Sequence, residues 1–245
     1  NKFRREYDQC EFARAWDLFV ADADKYRGVK TFEHDLVNVS RQALANLGLL
    51  ILARLNAAYA RADKPAFEQA ADEFLELLQA QDRLTAASPH FLLGTWINAA
   101  RALGATPAEM DLFEWNARTQ ITVWGPRETA DRLHEYANRE WAGLLRGFYY
   151  ERWKLFLNTV IDNFDRYAGR GGENAKQEWD AMVQQINEGE PGKFFDPTGI
   201  DWYAVEERWT RGHEPYPAAP LGDPADEARA AHKRFRAAMT RECAR

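Results

Sequence analysis

A tryptophan stands beside a Gly-Pro pair near the middle of this 245-residue chain. Trp124 precedes Gly125-Pro126, and proline both lacks a backbone donor and disfavours helix in the residue before it. The helical pattern that runs to Val123 is therefore predicted to end in a corner. Corners and loops carry binding residues more often than buried helices do, so a ligand could meet the indole there.

Helical periodicity resumes near Leu133, which predicts that a second helix starts at that residue. Tyr136 follows three residues later, and residues three apart share one face of a helix. The corner is therefore predicted to be lined by Trp124, Leu133 and Tyr136. From the residues alone, a structural role is favoured, in which Trp124 plugs the junction between the two helices.

Acid–base chemistry needs two carboxylates that converge from separate elements. Four acidic residues lie near the corner: Glu128, Asp131, Glu135 and Glu140. Because helical carboxylates in this sequence fall mainly on solvated faces, the favoured role of these four is helix-start charge and solubility.

Sequence motifs of common enzymes are missing from the chain. It has no HExxH, no Gly-x-Ser-x-Gly elbow, no Walker loop and no GxGxxG. The nearest approach to the Glu-x-x-His motif of di-iron bundles is a single Asp131-x-x-His134, so His134 is interpreted as a surface residue. The sequence predicts no catalytic residue, no metal site and no cofactor.

Helical periodicity dominates from end to end, and no alternating run bounded by turn residues is found. The sequence predicts an all-α fold, a bundle of about eight to ten helices with no significant sheet. Thr106-Pro107-Ala108-Glu109 has the form of a capping box with proline at the first helical position, which is a strong helix start. No linker divides the chain, so residues 1–245 are predicted to form a single domain.

The predicted helices follow from these patterns and their breaks. Tyr149-Tyr150 is either a bend or part of one long helix. The approximate spans are 10–25, 34–62, 65–84, 91–103, 107–123, 133–168 in one or two segments, 174–186, 201–209 and 225–244.

Charge and composition narrow the classes of partner. A net charge of -6 and the lack of a basic cluster argue against binding to nucleic acid. The longest apolar run, residues 43–53, contains Asn46 and is too short to span a bilayer, so we expect a soluble chain without a membrane span. The two cysteines lie at opposite ends and predict neither a disulfide framework nor a metal knuckle. Without an initiator Met or a signal core at its start, the chain is either a mature protein or a piece of a longer one.

Five sequence blocks carry a resemblance to a known family. They resemble, in the family's order, the C-terminal all-helical domain of the α-N-acetylglucosaminidases of glycoside hydrolase family 89. The most specific element is Trp-Gly-Pro followed by Tyr-Ala-Asn. The blocks are DLVNVSRQALANL from Asp35, FLLGTWINAAR from Phe91, EWNARTQITVWGP from Glu114, LHEYANREWAGLLRGFYYERWKLFL from Leu133 and ERWTRGHEPYPAAPLGDP from Glu207.

This resemblance implies a retaining enzyme that removes terminal α-linked N-acetylglucosamine with two carboxylates, roughly 5 Å apart in such mechanisms. In the family, both carboxylates belong to a (β/α) barrel that precedes the helical domain, and this chain contains no such barrel. The chain alone is therefore expected to be inactive. Residues 1–30 are expected to form a lead-in helix against the upstream domain, and residues 31–245 the helical domain itself.

Three residues of the corner take a role from the resemblance. In the family, a Trp, an aliphatic residue and a Tyr of the helical domain complete the wall of the sugar pocket. By motif position these are Trp124, Leu133 and Tyr136. The segment 127–132 is a few residues longer here than in the family, so Leu133 is placed by counting back from Tyr136.

A second hypothesis is a stand-alone helical carbohydrate-binding or scaffolding module without catalysis. The upstream reading frame would distinguish the two, since only an enzyme needs a barrel there. The family resemblance implies a secreted or periplasmic location, and the excess of Arg over Lys favours a bacterial source.

Overall fold

A computed structural model of the chain describes residues 7–128, 135–168 and 198–243. These residues form nine α-helices and one π-helical segment, and no strand, which confirms the predicted all-α class. The predicted helix at 174–186 lies outside the described residues. The helices are α1 Gln9–Ala21, α2 Lys30–Ala60, α3 Lys64–Ala86, α4 Leu93–Arg101, α5 Pro107–Gln120, α6 Glu151–Asp162, α7 Phe164–Tyr167, α8 Trp202–Thr210 and α9 Pro224–Cys243, with the π-helical segment Leu145–Tyr150 directly before α6.

The long helix α2 is the centre of the larger core, and α1, α3 and α9 pack against it. Its apolar residues lie around much of its circumference, so it can be buried on several sides at once. Leu44 and Ile51 of α2 are fully buried beside Trp16 of α1 and Phe235 of α9. The Trp16 indole NH donates to Ser40 Oγ at 2.9 Å, which satisfies a buried polar pair between α1 and α2.

Helix starts follow the predicted capping chemistry. Asp63 caps α3 by accepting from the Ala66 amide at 3.2 Å. Thr106 and Glu109 form the predicted capping box at α5, with both reciprocal hydrogen bonds present. The other end of α5 differs from the prediction, because the helix ends at Gln120 and residues 121–123 form a turn.

The helix predicted from Leu133 is wrong over residues 135–143, whereas residues 144–162 are helical as predicted. Residues 135–137 form a turn, residues 138–141 have no regular secondary structure, and the helical stretch begins only after Gly143. The physical reason is a long-range pairing, in which the Ala142 amide donates to Phe91 O at 2.8 Å and the Leu93 amide donates to Ala142 O at 3.1 Å. Tyr149 and Tyr150 lie inside one continuous helical stretch, so no bend separates them.

Two further features bear on the composition-based expectations. Cys10 in α1 is disulfide-bonded, which the separation of the two cysteines in the sequence did not predict. In the described part of the chain, α2 is long and apolar enough to cross a membrane by length and composition alone. Half of its most apolar 18-residue window is buried inside the fold, and a buried core helix passes the same test.

Replacement of Phe235 by Ala should destabilise the fold strongly, because this fully buried ring of α9 belongs to the larger core. Chemical denaturation should show a loss of about 3 to 5 kcal/mol in the free energy of unfolding. Leu103→Ala is the control, since Leu103 is 77% exposed and its loss should change stability by less than about 0.5 kcal/mol. Equal effects of the two substitutions would contradict the placement of α9.

Candidate functional site

Trp124 and Tyr136 meet at the surface, although Tyr136 lies on a turn and not on the predicted helix face. Their ring centroids are 5.3 Å apart and the planes are tilted by 58°. Trp124 is half-buried, whereas Tyr136 is 71% exposed. Leu133, the third predicted residue, lies outside the described residues. The described pair therefore offers an open aromatic face with a phenol hydroxyl at its rim.

Unusual backbone geometry holds this aromatic pair. Trp124 has a φ of 65° and Glu135, next to Tyr136, has a φ of 55°. Side chains of this size rarely adopt the left-handed region, and each such residue costs on the order of 1–3 kcal/mol. The Trp124 amide donates to Thr119 O at 2.8 Å and the Glu135 amide donates to Thr122 O at 3.0 Å, so both strained residues are tied to the end of α5. Strain of this kind is concentrated at functional sites.

The N-terminus of α8 supports the Trp124 side of the corner. The Tyr203 hydroxyl donates to Gly125 O at 3.2 Å. Arg127 makes two hydrogen bonds to Asp201, each 2.9 Å long, and its guanidinium lies 4.6 Å from the centre of the Tyr203 ring. These hydrogen bonds hold the pKa of Asp201 below its ordinary value of 3.8, so the carboxylate is charged at neutral pH.

A largely buried guanidinium supports the Tyr136 side. Arg152 Nη1 lies 2.6 Å from Glu135 Oε1 and donates to Glu206 Oε1 at 2.7 Å. The group also lies 5.2 Å from the centre of the Phe148 ring and 5.3 Å from that of Tyr149. Burial, followed by the charge of Glu135, raises the pKa of the Tyr149 phenol, which is therefore neutral. The cation thus joins the turn of Tyr136 to Glu206 of α8.

A second buried guanidinium fixes α5 before it reaches the corner. Arg118 is fully buried, and its Nε and Nη2 donate to Glu114 Oε1 at 2.9 and 2.7 Å. Nη2 also donates to the backbone oxygen of Glu214 at 2.9 Å. The rings of Trp209 and Tyr216 cover the group, with centroids 4.8 and 5.3 Å away. This arrangement ties α5 to the end of α8 and the segment after it.

In the part of the chain that the structure describes, one group of residues has the ligand types of a metal site. Oxygen or nitrogen atoms of Asp111, Glu114 and His213 lie within 4.8 Å of one another. Arg101 Nη1 contacts the same group, 2.9 Å from Asp111 Oδ1 and 2.5 Å from Glu114 Oε2. Because Arg101 bridges both carboxylates and Arg118 also pairs with Glu114, two cations already balance their charge, and we assign no metal to this group.

The acidic residues near the corner are only partly as expected. Glu135 and Glu140 are not simply solvated, since each pairs with an arginine, Arg152 and Arg41 respectively. Asp131 and His134 lie outside the described residues. Sequence reasoning also missed the buried carboxylates Glu114 and Glu206 and their arginine partners. The i,i+4 spacing of Glu114 and Arg118 could have indicated the first pair, whereas nothing local indicates the second.

The fold and the site define an all-helical protein that presents an exposed aromatic pair on a strained corner. A family model described as the alpha-N-acetylglucosaminidase (NAGLU) C-terminal domain matches residues 2–234. The chain belongs to this family, which confirms the resemblance seen in the sequence.

The matched relatives are much longer than this chain. Human alpha-N-acetylglucosaminidase is 30% identical over 224 residues, which cover 91% of this chain and 27% of the human protein. A family 89 glycoside hydrolase from Clostridium perfringens, solved with its substrate GlcNAc-alpha-1,4-galactose, is 28% identical with a TM-score of 0.76. The match covers 94% of this chain and 24% of that one. A second structure from that organism, with 2-acetamido-1,2-dideoxynojirmycin, has a TM-score of 0.75. The chain thus spans about a quarter of the length of these relatives, and the bacterial source of the two structures fits the expected bacterial source of this chain.

Replacement of Glu114 by Gln should destabilise the fold, because it leaves Arg118 buried without a full counter-charge. At neutral pH we expect a loss of about 3 kcal/mol in the free energy of unfolding. Burial alone would raise the pKa of Glu114, but the hydrogen bonds from Arg118 and Arg101 outweigh it and hold the pKa below the ordinary 4.5. A carboxylate with a lowered folded pKa stabilises the fold above its unfolded pKa and loses that contribution as the pH falls through the folded pKa.

The difference in the free energy of unfolding between the unsubstituted chain and Glu114→Gln should therefore become smaller below about pH 4.5. Urea denaturation at a series of pH values measures this difference. Glu207→Gln is the matched control, since Glu207 forms an exposed i,i+4 pair with Arg211. Its effect should stay below about 1 kcal/mol at every pH. If the loss of unfolding free energy caused by Glu114→Gln is the same at every pH, the buried charge is not what stabilises this region.

Proposed function

We propose that this chain is the C-terminal part of a retaining exo-α-N-acetylglucosaminidase and completes its substrate pocket. Trp124, Leu133 and Tyr136 form one wall against the terminal α-linked N-acetylglucosamine. The catalytic carboxylates lie on a (β/α) barrel upstream of the described helices. In this account the chain forms one all-α domain that recognises the sugar and does not cleave it.

The observation that carries the proposal is the open aromatic pair. An indole and a phenol offer flat apolar faces to sugar C–H groups, and polar edges to a hydroxyl or acetamido group. The 5.3 Å separation and the 71% exposure of Tyr136 leave such a face free on the described chain. The solved family 89 relative carries GlcNAc-alpha-1,4-galactose as its substrate, which supports this class of ligand for the pair. Leu133 is assigned by the resemblance alone.

The buried carboxylates of the described chain support the absence of a catalytic pair here. A general acid needs a pKa raised toward neutrality, and a retaining enzyme needs two carboxyl groups roughly 5 Å apart. Glu114 has a lowered pKa, and Glu206 accepts a hydrogen bond from Arg152. Glu33 pairs with Lys30, and Asp82, whose pKa is raised by burial, accepts from the amides of Gly143 and Arg146. All four are therefore engaged in structural contacts. Export to the periplasm or medium, as proposed from the family, would bring such an enzyme to its glycans.

Replacement of Trp124 by Ala in the complete enzyme should lower kcat/KM for an aryl α-N-acetylglucosaminide by about tenfold to a hundredfold. The reason is that one apolar ring face, worth roughly 1.5–3 kcal/mol when it covers a ligand, is removed from the transition-state complex. Thermal denaturation should show that the variant remains folded. The control is Trp115→Ala, which removes an indole that is 37% exposed on α5. Equal kcat/KM values for the unsubstituted enzyme and Trp124→Ala would show that Trp124 has a structural role and does not contact the substrate.

The isolated 245-residue chain should release no sugar above background from the same substrate, because both catalytic carboxylates are assigned to the barrel. The measurement is a discontinuous assay at high protein concentration, with the complete enzyme as the positive control. Sugar release that follows the concentration of the isolated chain would place the catalytic carboxylates within these 245 residues.

A further inference from the structure

The ion pairs and ring contacts of Arg152 in the described residues do not include Trp124 or Tyr136, yet Arg152 connects the two segments that hold them. Its Nη1 contacts Glu135, the residue before Tyr136, and Glu206 in the middle of α8. Tyr203, at the start of α8, holds the carbonyl of Gly125, the residue after Trp124. The contacts therefore run from Tyr136 through Arg152 and α8 to Trp124.

A direct backbone hydrogen bond also joins the two segments that carry the rings. The Glu135 amide donates to Thr122 O at 3.0 Å, two residues before Trp124. The separation of the two rings is thus set by one backbone bond on one side and by the Arg152 ion pairs on the other. Since Trp124 and Glu135 both have positive φ, the corner is strained and needs such external contacts to persist.

The electrostatics of the cluster favour one fixed arrangement. The Glu206 side chain is fully buried and that of Glu135 is 29% exposed, while that of Arg152 is 18% exposed. Two carboxylates brought together would repel each other without the cation between them, and a buried carboxylate without a partner is costly. The Phe148 and Tyr149 rings beside the guanidinium restrict it further. The two ion pairs, to Glu135 and to Glu206, therefore favour one position of the Arg152 guanidinium.

We propose that Arg152 is a positioning residue, which fixes the Tyr136 turn against α8 and so sets the spacing of the Trp124–Tyr136 pair. Its effect on catalysis rests on the proposed function, whereas its effect on the turn does not. Arg152 acts through Glu135 and Glu206 and has no contact with the sugar in this account.

The test uses a double substitution that cuts the link and also removes the fully buried carboxylate. Arg152→Met alone would take the cation away from the fully buried Glu206, which would destabilise the fold. Arg152→Met with Glu206→Gln removes the charges of both groups, and the carboxylate that remains, Glu135, has a side chain that is 29% exposed. The matched control is Arg54→Met with Glu73→Gln, which removes a similar pair, 2.6 Å apart, between α2 and α3.

Hydrogen exchange on the 245-residue chain, followed by mass spectrometry, measures directly how readily the backbone of the turn opens. In Arg152→Met/Glu206→Gln, amides of 121–125 and 135–138 should exchange about tenfold faster or more, because a charge-assisted contact no longer holds the turn. The helices α2 and α3 should keep their exchange rates. In the control variant the corner should exchange at the unsubstituted rate. Unchanged exchange at the corner in the site variant, or equal acceleration in the control, would overturn the proposal.

Kinetics of the complete enzyme provide the second test. They are measured well below the melting temperature of every variant. The site variant should lose about tenfold in kcat/KM, and the control variant should lose none. If Trp124→Ala leaves kcat/KM unchanged, the proposed function fails while the exchange result still decides the role of Arg152. If Trp124→Ala lowers kcat/KM but the site variant exchanges normally at the corner, the positioning role fails alone.

Discussion

Compensation of buried positive charge is the constraint that shapes this chain around its corner. Arg118 is fully removed from water and Arg152 largely so, and each needs carboxylates and aromatic rings around it. The partners come from distant parts of the sequence, so meeting this need brings α5, α8 and the segments around them together. Trp124 and Tyr136 lie between the two guanidinium clusters along the chain, and contacts of both clusters hold the segments that carry the two rings.

Much of the fold could be predicted because its signals are local. The apolar periodicity of α2, the Asp63 cap and the Thr106–Glu109 capping box each depend on neighbours a few residues away, and the structure has them all. The predicted helix from Leu133 failed because the pairing of Ala142 with Phe91 and Leu93 outweighs local periodicity. The same limit hid the ion pair of Arg152 with Glu206, since the two residues are 54 positions apart.

The functional site shows a similar division. That an aromatic corner exists is readable from Trp124-Gly125-Pro126, and the meeting of Trp124 with Tyr136 is seen in the described structure. Trp124 and Glu135 have a left-handed backbone, which orients Trp124 and Tyr136. This conformation has no sequence signature, because neither Trp124 nor Glu135 is a residue type that favours positive φ. The family and the matched relatives, which are about four times as long as this chain, supply the reason to propose that the pair is a wall of a sugar pocket. Recognition and bond cleavage would then lie on different parts of one enzyme.

A crystal structure of the complete enzyme with an iminosugar analogue of N-acetylglucosamine tests the central claim most directly. The account predicts ring atoms of Trp124 and Tyr136 within about 4 Å of the sugar, the distance of apolar contact. It also predicts that the two catalytic carboxylates approach the sugar from residues outside this chain. A sugar bound in the active site with neither ring in contact would contradict the assignment of the corner as a pocket wall.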